Sequence, residues 1–377
     1  MTTAELLDEG VREARARESA AFGALAAPAG GRTVLFGAGT LGRKVLAALR
    51  RGGVEPLAFA DSNPELHGIR VDGIAVVAPA EAAARWGDRA LFVVTILRPA
   101  GGEGMAARQR HLAGLGCRWV TSFLPLAWRF PGVLPHFGAD LPSRLLEKAG
   151  ALRRVAAAWS DEASREVFRG QLAWRLRGDF TPAREPTPGQ YFPRDLIRPN
   201  PQERLVDGGA YDGDTLASLP AGFARAWAFE PDPSNAARLR VRADARVRVH
   251  EVALGRAAGL ARFDARGTPA SARSANGALE VPVASLDELL AGENPSFVKL
   301  DVEGDEMAAL EGAAETLRRA QPVVAVCIYH RPEDLWEIPE FLRGILPRHS
   351  SHLRLHEQDG FELVTYAVPA DRRANPP

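Results

Sequence analysis

The sequence predicts an α/β protein built from two doubly wound domains. Short apolar strands alternate with helical stretches, which is typical of βαβ units around parallel sheets. Two of these strands lead into glycine turns, one beginning at Gly37 and one at Gly208. The chain has 377 residues, and single hydrophobic cores stop growing at about 250–300 residues. Together these observations predict two Rossmann-like domains in series.

The composition excludes several classes of protein. Hydrophobic residues make up 46% and charged residues 25% of the chain, and 47 basic groups balance 47 acidic ones. This balance argues against a general nucleic-acid binder. No apolar run approaches the roughly 18–20 residues of a membrane span, and the polar first residues do not resemble a signal peptide. The sequence therefore predicts a cytoplasmic protein, with its two cysteines, Cys117 and Cys327, as buried free thiols.

The first half of the chain predicts one αβ series. A helix is expected over 4–25 and another over 40–51. Residues 141–178 lack strand signals and predict two helical stretches, and the proline-dense residues 179–201 predict an extended linker. The predicted strands are Arg32–Phe36, Pro56–Ala60, Ala75–Val77, Ala90–Ile96 and Trp119–Thr121. The predicted domains are an N-terminal module at 1–130, a helical connector with linker at 131–187, and a second domain at 188–377.

The second half predicts another parallel series that ends differently. Asp359-Gly360 is a hairpin signal between two apolar stretches. The sheet should therefore finish with an antiparallel pair. The predicted strands are Arg204–Val206, Ala226–Phe229, Val247–Val252, Phe297–Leu300, Val323–Tyr329, Leu353–His356 and Phe361–Ala367.

The first glycine turn matches G-x-G-x-x-G between a strand and a helix. Glycines there allow a tight turn whose N–H groups can approach a pyrophosphate. Asp61 ends the next strand, where a ribose-binding carboxylate would stand, and the run from Asp61 to Pro64 resembles the nucleotide- or sugar-binding modules of some sugar-modifying enzymes. Either the turn binds a nucleotide or a nucleotide-sugar, or its glycines serve packing alone. The candidate residues are Gly37, Gly39, Thr40, Leu41, Gly42 and Asp61.

The second glycine turn has the form D-x-G-x-x-x-G from Asp207 to Gly213. It resembles motif I of class I S-adenosylmethionine-dependent methyltransferases. The resemblance implies that the turn passes under the methionine part of the cofactor. Glu230 ends the following strand, where a carboxylate can accept both ribose hydroxyls. The predicted cofactor residues are Tyr191, Asp207, Gly209, Ala210, Tyr211, Asp212, Gly213, Glu230, Pro231, Asn235, Val252, Ala253 and Asp301.

Further runs resemble one methyltransferase family. Phe297–Glu306 contains a lysine-aspartate-x-glutamate-glycine motif, Ile328-Tyr329-His330 follows it, and Gln190-Tyr191-Phe192 precedes the domain. Over about residues 188–369 the chain resembles the FkbM-type methyltransferases. The resemblance implies that the segment at Tyr191 folds over S-adenosylmethionine. It also implies methyl transfer, usually to oxygen, with S-adenosylhomocysteine as the product.

Four side chains are candidates for the chemistry. Asp301, Glu303 and His330 follow strands whose carboxyl ends share one sheet edge. His330 is the first choice of general base, or else it is bonded structurally to the backbone. Lys299 either pairs with a carboxylate, orients an acceptor oxygen, or packs along its stem. No metal is predicted, since oxygen methylation does not need one. The alternative is a divalent cation held by two carboxylates and the histidine.

The sequence thus predicts an S-adenosylmethionine-dependent O-methyltransferase. Its small-molecule acceptor would carry a hydroxyl on a sugar, glycan or natural-product metabolite, and the N-terminal module would help to bind the acceptor or a nucleotide. The alternative is a nucleotide- or NAD-binding protein whose second domain binds S-adenosylmethionine without methyl transfer. The methylated position, O- against N-methylation, and the oligomeric state, a homo-oligomer included, stay open.

Overall fold

The computed structural model describes residues 1–97, 103–134, 137–181, 184–268, 271–274 and 276–374. Residues 182 and 183 of the predicted linker lie outside these ranges. The chain divides into two compact units that interleave along the sequence. Unit 1 comprises Met1–Ala156, Glu166–Glu185 and Glu357–Phe361, and unit 2 comprises Ala157–Arg165, Pro186–His356 and Glu362–Pro377. The sequence-based bounds of 1–130, 131–187 and 188–377 stay a prediction.

Unit 1 contains a six-stranded sheet. Its strands are β1 Thr33–Phe36, β2 Ala58–Ala60, β3 Arg70–Val71, β4 Ile74–Val77, β5 Leu91–Val94 and β6 Trp119–Ser122. The order is β3-β4-β2-β1-β5-β6, and all neighbours are parallel except β3 and β4. Strands β1 and β5 are buried throughout, which is why each reads as an unbroken apolar run. The short strand β3 was not predicted.

The helices of this half differ from the prediction at the N-terminus. They are α1 Thr3–Leu7, α2 Val11–Ala26, α3 Thr40–Arg51, α4 Pro79–Trp86, α5 Met105–Gly114, α6 Leu124–Arg129, α7 Pro142–Glu147, α8 Ala149–Ala158 and α9 Glu162–Arg177. One continuous helix over 4–25 is wrong. Gly10 has an extended backbone and is the N-cap of α2, and its N–H donates to the Glu13 carboxylate. Glycine lowers helix stability and favours such a break. Residues 141–178 likewise hold three helices rather than two.

Unit 2 contains a seven-stranded sheet. Its strands are β7 Arg204–Gly208, β8 Arg225–Phe229, β9 Val247–His250, β14 Phe297–Leu300, β15 Val323–Cys327, β16 Ser350–Leu355 and β17 Leu363–Val368. The order is β16-β17-β15-β14-β7-β8-β9. Strand β17 is antiparallel to both neighbours and the other pairs are parallel. The predicted antiparallel ending and the predicted α/β class are both confirmed. The helices are α10 Asp214–Ser218, α11 Pro233–Arg242, α12 Leu286–Leu289, α13 Glu306–Glu311, α14 Ala314–Ala320 and α15 Asp334–Ile345.

A second, four-stranded sheet in unit 2 was not predicted. Its strands are β10 Ala253–Leu254, β11 Gly259–Asp264, β12 Ala272–Arg273 and β13 Leu279–Ala284, in the order β10-β13-β11-β12. Ala253, Phe263 and Val281 form a small core beneath it. Strand β9 ends at His250 rather than at the predicted Val252, and β10 of the small sheet begins at Ala253. Its strands are short and mostly half-exposed, so their apolar periodicity is weak.

Parallel strands bring their carboxyl ends to one edge of a sheet. In unit 2 the loops after β7, β8, β14 and β15 therefore meet at the same edge. Within the ranges that the structure describes, no helix is both long and apolar enough to cross a membrane.

Candidate active site

The turn after β7 requires glycine at position 209, because the backbone of Asp301 leaves no space for a side chain there. Gly209 has φ +74°, and a Cβ there would lie 1.8 Å from the carbonyl oxygen of Asp301. The N–H groups of Gly209 and Ala210 both donate to the carbonyl of Phe229 at 3.0 Å. The turn is thus packed between the segments that follow β14 and β8. Gly213, with φ +90°, is the N-cap of α10.

The Glu230 carboxylate fixes the other side of the turn. It is 5% exposed. Oε2 accepts a hydrogen bond from the Tyr211 N–H at 2.9 Å, and Oε1 accepts one from the Asp232 N–H at 2.9 Å. Burial raises the pKa of Glu230, while these backbone donors oppose the rise. The carboxylate therefore has a fixed orientation at the edge where the ribose hydroxyls are expected.

The remaining predicted cofactor residues lie in several settings. Asn235 is buried on α11, and its Nδ2 donates to the Thr268 carbonyl at 3.2 Å. Asp212 forms an ion pair with Arg242 at 2.7 Å, so its carboxylate already has a cationic partner. Ala210 and Ala253 are buried, whereas Pro231 and Val252 are half-buried.

Lys299 secures the turn from the adjacent strand. It lies opposite Asp207 in the β14–β7 register, and its Nζ is 3.1 Å from Asp207 Oδ1. Nζ also donates to the carbonyls of Gly208 at 3.1 Å and Gly209 at 2.6 Å. Burial opposes its charge, but Asp207 and Asp301 raise the pKa of Lys299 above its ordinary value. Two hydrogen bonds to backbone carbonyls and one ion pair thus direct the ammonium at the turn.

Four ionisable side chains and one tyrosine meet beyond β14 and β15. Tyr191 donates its hydroxyl to Asp301 Oδ2 at 2.8 Å. His330 Nε2 lies 3.6 Å from Asp301 Oδ1 and 3.6 Å from Glu303 Oε2. His330 Nδ1 lies 2.9 Å from Glu306 Oε1. The structure thus brings together the predicted residues Tyr191, Asp301, Glu303 and His330.

Glu306 is a member of this cluster that was not predicted from the sequence. The side chain is fully buried, although it stands in the first turn of α13, where an acidic residue usually faces solvent. Its signal in the sequence was only the Asp305-Glu306 pair that follows the glycine of the lysine-aspartate-x-glutamate-glycine run. Such a pair is typical of the start of any helix.

The charges of this cluster follow from its burial. Burial lowers the pKa of His330, but Glu306, Asp301 and Glu303 together raise it to about 10. Burial raises the pKa of Glu303 to about 7. Burial also acts against the charge of Asp301, but the Lys299 and His330 cations hold its pKa below the ordinary value. These shifts favour a cationic His330 and an anionic Asp301 at neutral pH, and they bring the pKa of Glu303 close to neutrality.

The same cluster has atoms that could ligate a metal. Asp301, Glu306 and His330 present ligand atoms within 4.8 Å of one another. However, Glu306 Oε1 already contacts His330 Nδ1 and accepts the Val302 and Gly304 N–H groups at 2.9 and 3.3 Å. A metal-binding imidazole must be deprotonated, whereas the surrounding carboxylates raise the pKa of His330. Asp301 Oδ1, Glu306 Oε2 and the ring nitrogens of His330 make no hydrogen bond to the described residues, so hydrogen bonds do not occupy the atoms that a cation would need. The absence of a metal stays a prediction.

A cavity of about 550 Å³ adjoins the segment that contains Tyr191. It is lined by residues of 187–195 and of the first turns of α10, among them Arg194, Asp214 and Thr215. Tyr191 itself is 6% exposed, and its ring centroid lies 5.2 Å from Lys299 Nζ. The segment thus links the cavity to the Asp301 carboxylate through the tyrosine hydroxyl.

The glycine turn of unit 1 also makes close backbone contacts and is hydrogen-bonded to a carboxylate. A Cβ at Gly42 would lie 2.0 Å from the Gly37 carbonyl oxygen, so α3 packs directly on the turn. Asp61 Oδ2 accepts the Ala38 N–H at 2.8 Å, and Oδ1 accepts the Asn63 N–H at 2.8 Å. Gly39 is the N-cap of α3 without a side-chain hydrogen bond. Of the other predicted residues, Thr40 is exposed and Leu41 half-buried.

Comparison with known proteins relates residues 207–361 to a methyltransferase family. Residues 207–361 match the family model of the methyltransferase FkbM domain. The crystal structure of methyltransferase FkbM from Methylobacillus flagellatus KT is similar, with TM-score 0.73 and 21% identity over 94% of this chain and 93% of that chain. An rRNA methylase from Streptococcus thermophilus has TM-score 0.31 and 14% identity over 47% of this chain and 91% of that chain. Among curated proteins, none matches. Residues 207–361 therefore belong to the FkbM methyltransferase domain family.

Proposed function

We propose that the chain is an S-adenosylmethionine-dependent O-methyltransferase that acts on a hydroxyl of a sugar, glycan or natural-product metabolite. The family of residues 207–361 supports methyl transfer. The observation that carries the proposal is the meeting, at adjacent strand ends, of a glycine turn, the Glu230 carboxylate and the cluster around His330. This arrangement provides both a nucleoside-binding edge and proton-accepting groups.

S-adenosylmethionine fits the residues of the turn. The Asp301 carbonyl oxygen occupies the space that a side chain at Gly209 would need, which fixes the turn beside the edge where the cofactor is proposed to bind. Glu230 Oε2 accepts one hydrogen bond among the described residues and keeps a lone pair for a ribose hydroxyl. Oε1 already accepts from the Asp232 N–H and from Asn235 Nδ2. The cofactor supplies a methyl group on a sulfonium, which makes it an electrophile. Asp207, Gly209, Glu230 and Tyr191 would hold and orient it.

A hydroxyl acceptor is favoured by the charges of the cluster. An alcohol must lose its proton as it is methylated, so a nearby carboxylate accelerates the reaction. Asp301 and Glu303 both provide one, on side chains that are 20% and 23% exposed. Alignment of the acceptor oxygen with the methyl group and sulfur would lower most of the barrier.

The N-terminal glycine turn is proposed to bind a nucleotide or a nucleotide-sugar. The carboxylates of Asp61 and Glu230 make the same two kinds of hydrogen bond. In each, one oxygen accepts an N–H of the glycine turn and the other accepts the N–H of the residue two positions after the carboxylate. This likeness supports a ribose-facing carboxylate in unit 1. The second candidate function, an NAD-binding protein that holds S-adenosylmethionine without turnover, is favoured by the same turn. Cytoplasmic localisation stays a prediction from the sequence.

The test separates these functions. Calorimetry should show that the wild-type chain binds S-adenosylmethionine at one site. Labelled S-adenosylmethionine should then transfer its methyl group to a panel of nucleotide-sugars and simple glycosides. UDP-glucose should bind wild type more tightly than Asp61→Ala, with Asp88→Ala as an exposed control. Binding of NAD with no transfer to any member of the panel would favour the second function.

A further inference from the structure

The imidazole of His330 is surrounded by acidic side chains. The ring is 7% exposed. Glu306 faces its Nδ1 at 2.9 Å, and Asp301 and Glu303 both face its Nε2 at 3.6 Å. Three carboxylates around one buried imidazole favour its cationic form. Asp334 on α15 is also buried and interacts with His330, but burial and Glu306 raise its pKa to about 8, which favours its neutral form. A cation has no lone pair with which to accept a proton, so this ring is poorly suited to act as the general base.

The position and hydrogen bonds of Glu306 favour the positive charge of His330. Its side chain is wholly buried, and Oε1 accepts the N–H groups of Val302 and Gly304. These two donors fix the carboxylate in the turn between β14 and α13 and aim it at His330. Its role is therefore exerted through the imidazole.

Glu303 is in a different situation. Among the described residues its carboxylate accepts no hydrogen bond, and its nearest charged partner is His330 Nε2 at 3.6 Å. The side chain is 23% exposed, so an acceptor can reach it. Its backbone has φ +56°, a strained conformation for glutamate that is concentrated at functional sites. The turn thus presents Glu303 as the open carboxylate of the cluster.

We propose that Glu303 is the catalytic base of methyl transfer and that Glu306 is a positioning residue that keeps His330 protonated. The inference rests on the proposed function. The acceptor oxygen bonds to the methyl carbon, the carbon–sulfur bond breaks, and its electron pair stays on the neutral sulfur of S-adenosylhomocysteine. The hydroxyl proton passes to the Glu303 carboxylate. His330, as a cation, offsets the charges of Asp301 and Glu303 throughout.

The acidities are consistent with these roles. Burial raises the pKa of Glu303 to about 7; His330 and Lys299 lower it, and Asp301 and Glu306 raise it. The pKa of His330 is raised to about 10, against its burial, chiefly by Glu306. A base is most effective when its pKa lies near the working pH, which Glu303 satisfies and His330 does not.

NMR titration of the full chain tests the proposal without an acceptor. The histidine rings are labelled with ¹⁵N and the glutamate carboxyls with ¹³C. The variant His330→Gln assigns the imidazole signal, and Glu303→Gln and Glu306→Gln assign the carboxyl signals. We expect the His330 imidazolium to persist at pH 7 and to titrate near 10. Glu306→Gln should lower that midpoint by roughly 2 units or more, toward the ordinary value. One glutamate signal, lost in Glu303→Gln, should titrate near 7.

Several outcomes would overturn the proposal. A neutral His330 in the wild type at pH 7 would do so, and so would a Glu303 signal that does not titrate between pH 6 and 8. Mg²⁺ that converts His330 to a neutral ligand would replace its ion pairs with a metal site. An unchanged His330 titration in Glu306→Gln would remove the positioning role.

Binding and turnover separate this inference from the proposed function. Glu303→Gln should bind S-adenosylmethionine like the wild type, but its rate of methyl transfer to the glycoside panel should fall by about 10²–10⁴-fold. Glu311→Gln, at the half-buried end of α13 where the carboxylate pairs with Arg256, is the matched control and should retain it. Full transfer by Glu303→Gln would refute its role as base. Failure of the wild type to bind S-adenosylmethionine would instead refute the proposed function.

Discussion

Replacing Lys299 by methionine should destabilise unit 2 more than any surface lysine change. The substitution keeps most of the side-chain volume but removes the cation. Asp207, which is fully buried, would then lose its ion partner at 3.1 Å, and no other described residue donates a hydrogen bond to its carboxylate. The carbonyls of Gly208 and Gly209 would also lose a donor. Breaking a buried ion pair on one side costs about 3–5 kcal/mol.

Calorimetric unfolding measures this effect. For a unit of about 200 residues, each kcal/mol shifts Tm by roughly 2–4 °C, so the transition that contains unit 2 should fall by about 6–20 °C. Lys44→Met, at an exposed position of α3, is the matched control and should change the free energy of unfolding by no more than about 0.5 kcal/mol.

The pH dependence gives the experiment a second readout. Burial raises the pKa of Asp207, and without Lys299 it must rise further. A carboxyl whose folded pKa exceeds its unfolded value destabilises the fold above the unfolded pKa, and protonation removes that cost. The loss in free energy of unfolding caused by Lys299→Met should therefore become smaller as the pH falls from 8 to 5. A loss below about 1 kcal/mol that does not depend on pH would refute the reasoning.

Three further predictions concern the turn, its carboxylate and a distant ion-pair network. Gly209→Ala should weaken S-adenosylmethionine binding at least tenfold by calorimetry, because its Cβ would lie 1.8 Å from the Asp301 carbonyl oxygen. Glu230→Gln should weaken binding by about 10–100-fold, since a hydrogen bond to a charged group contributes about 1.5–3 kcal/mol. Asp161→Asn should destabilise unit 2 at pH 7 and have little effect at pH 2 in urea unfolding. Although burial opposes its charge, hydrogen bonds from His352 and Arg354 hold the pKa of Asp161 below its ordinary value, so its contribution is lost as the pH falls.

Each of these changes has a matched control in the same unit. Gly222→Ala also places alanine at a positive φ, +75°, but its Cβ meets nothing within 4 Å. Glu251→Gln removes a half-buried carboxylate that pairs with Arg240, and Asp244→Asn removes an exposed ion pair with Arg246. If a control variant loses as much as its partner, the contact assigned to that partner is not the cause.

The strands of both large sheets could be predicted because their burial is complete. Runs such as Leu91–Val94 and Val323–Cys327 are apolar at every position, and a parallel strand buried on both faces leaves this pattern in any sequence. The small sheet with β11 and β12 could not be predicted in this way. Its strands are short and face solvent on one side, and among the described residues β12 pairs only with Phe263 and Asp264.

The candidate site was predicted by residue type but not by charge. Asp301, Glu303 and His330 follow strand ends, and the βαβ pattern of the sequence is enough to place those ends at one edge of the sheet. Whether an imidazole at such a place is neutral depends on every charge around it. Glu306 decides this point, and its sequence position resembles an ordinary acidic residue at a helix start.

The sequence by itself determined the α/β class, the two glycine turns, the FkbM resemblance and the strand ends that carry the polar residues. Strand periodicity and glycine spacing depend on residues that are close in sequence, so the sequence alone shows them. Only the tertiary structure decided which carboxylate is free and which imidazole is charged. Burial and the distances among Glu303, Glu306 and His330 set those acidities, and they exist only once β14, β15 and α13 have been packed together.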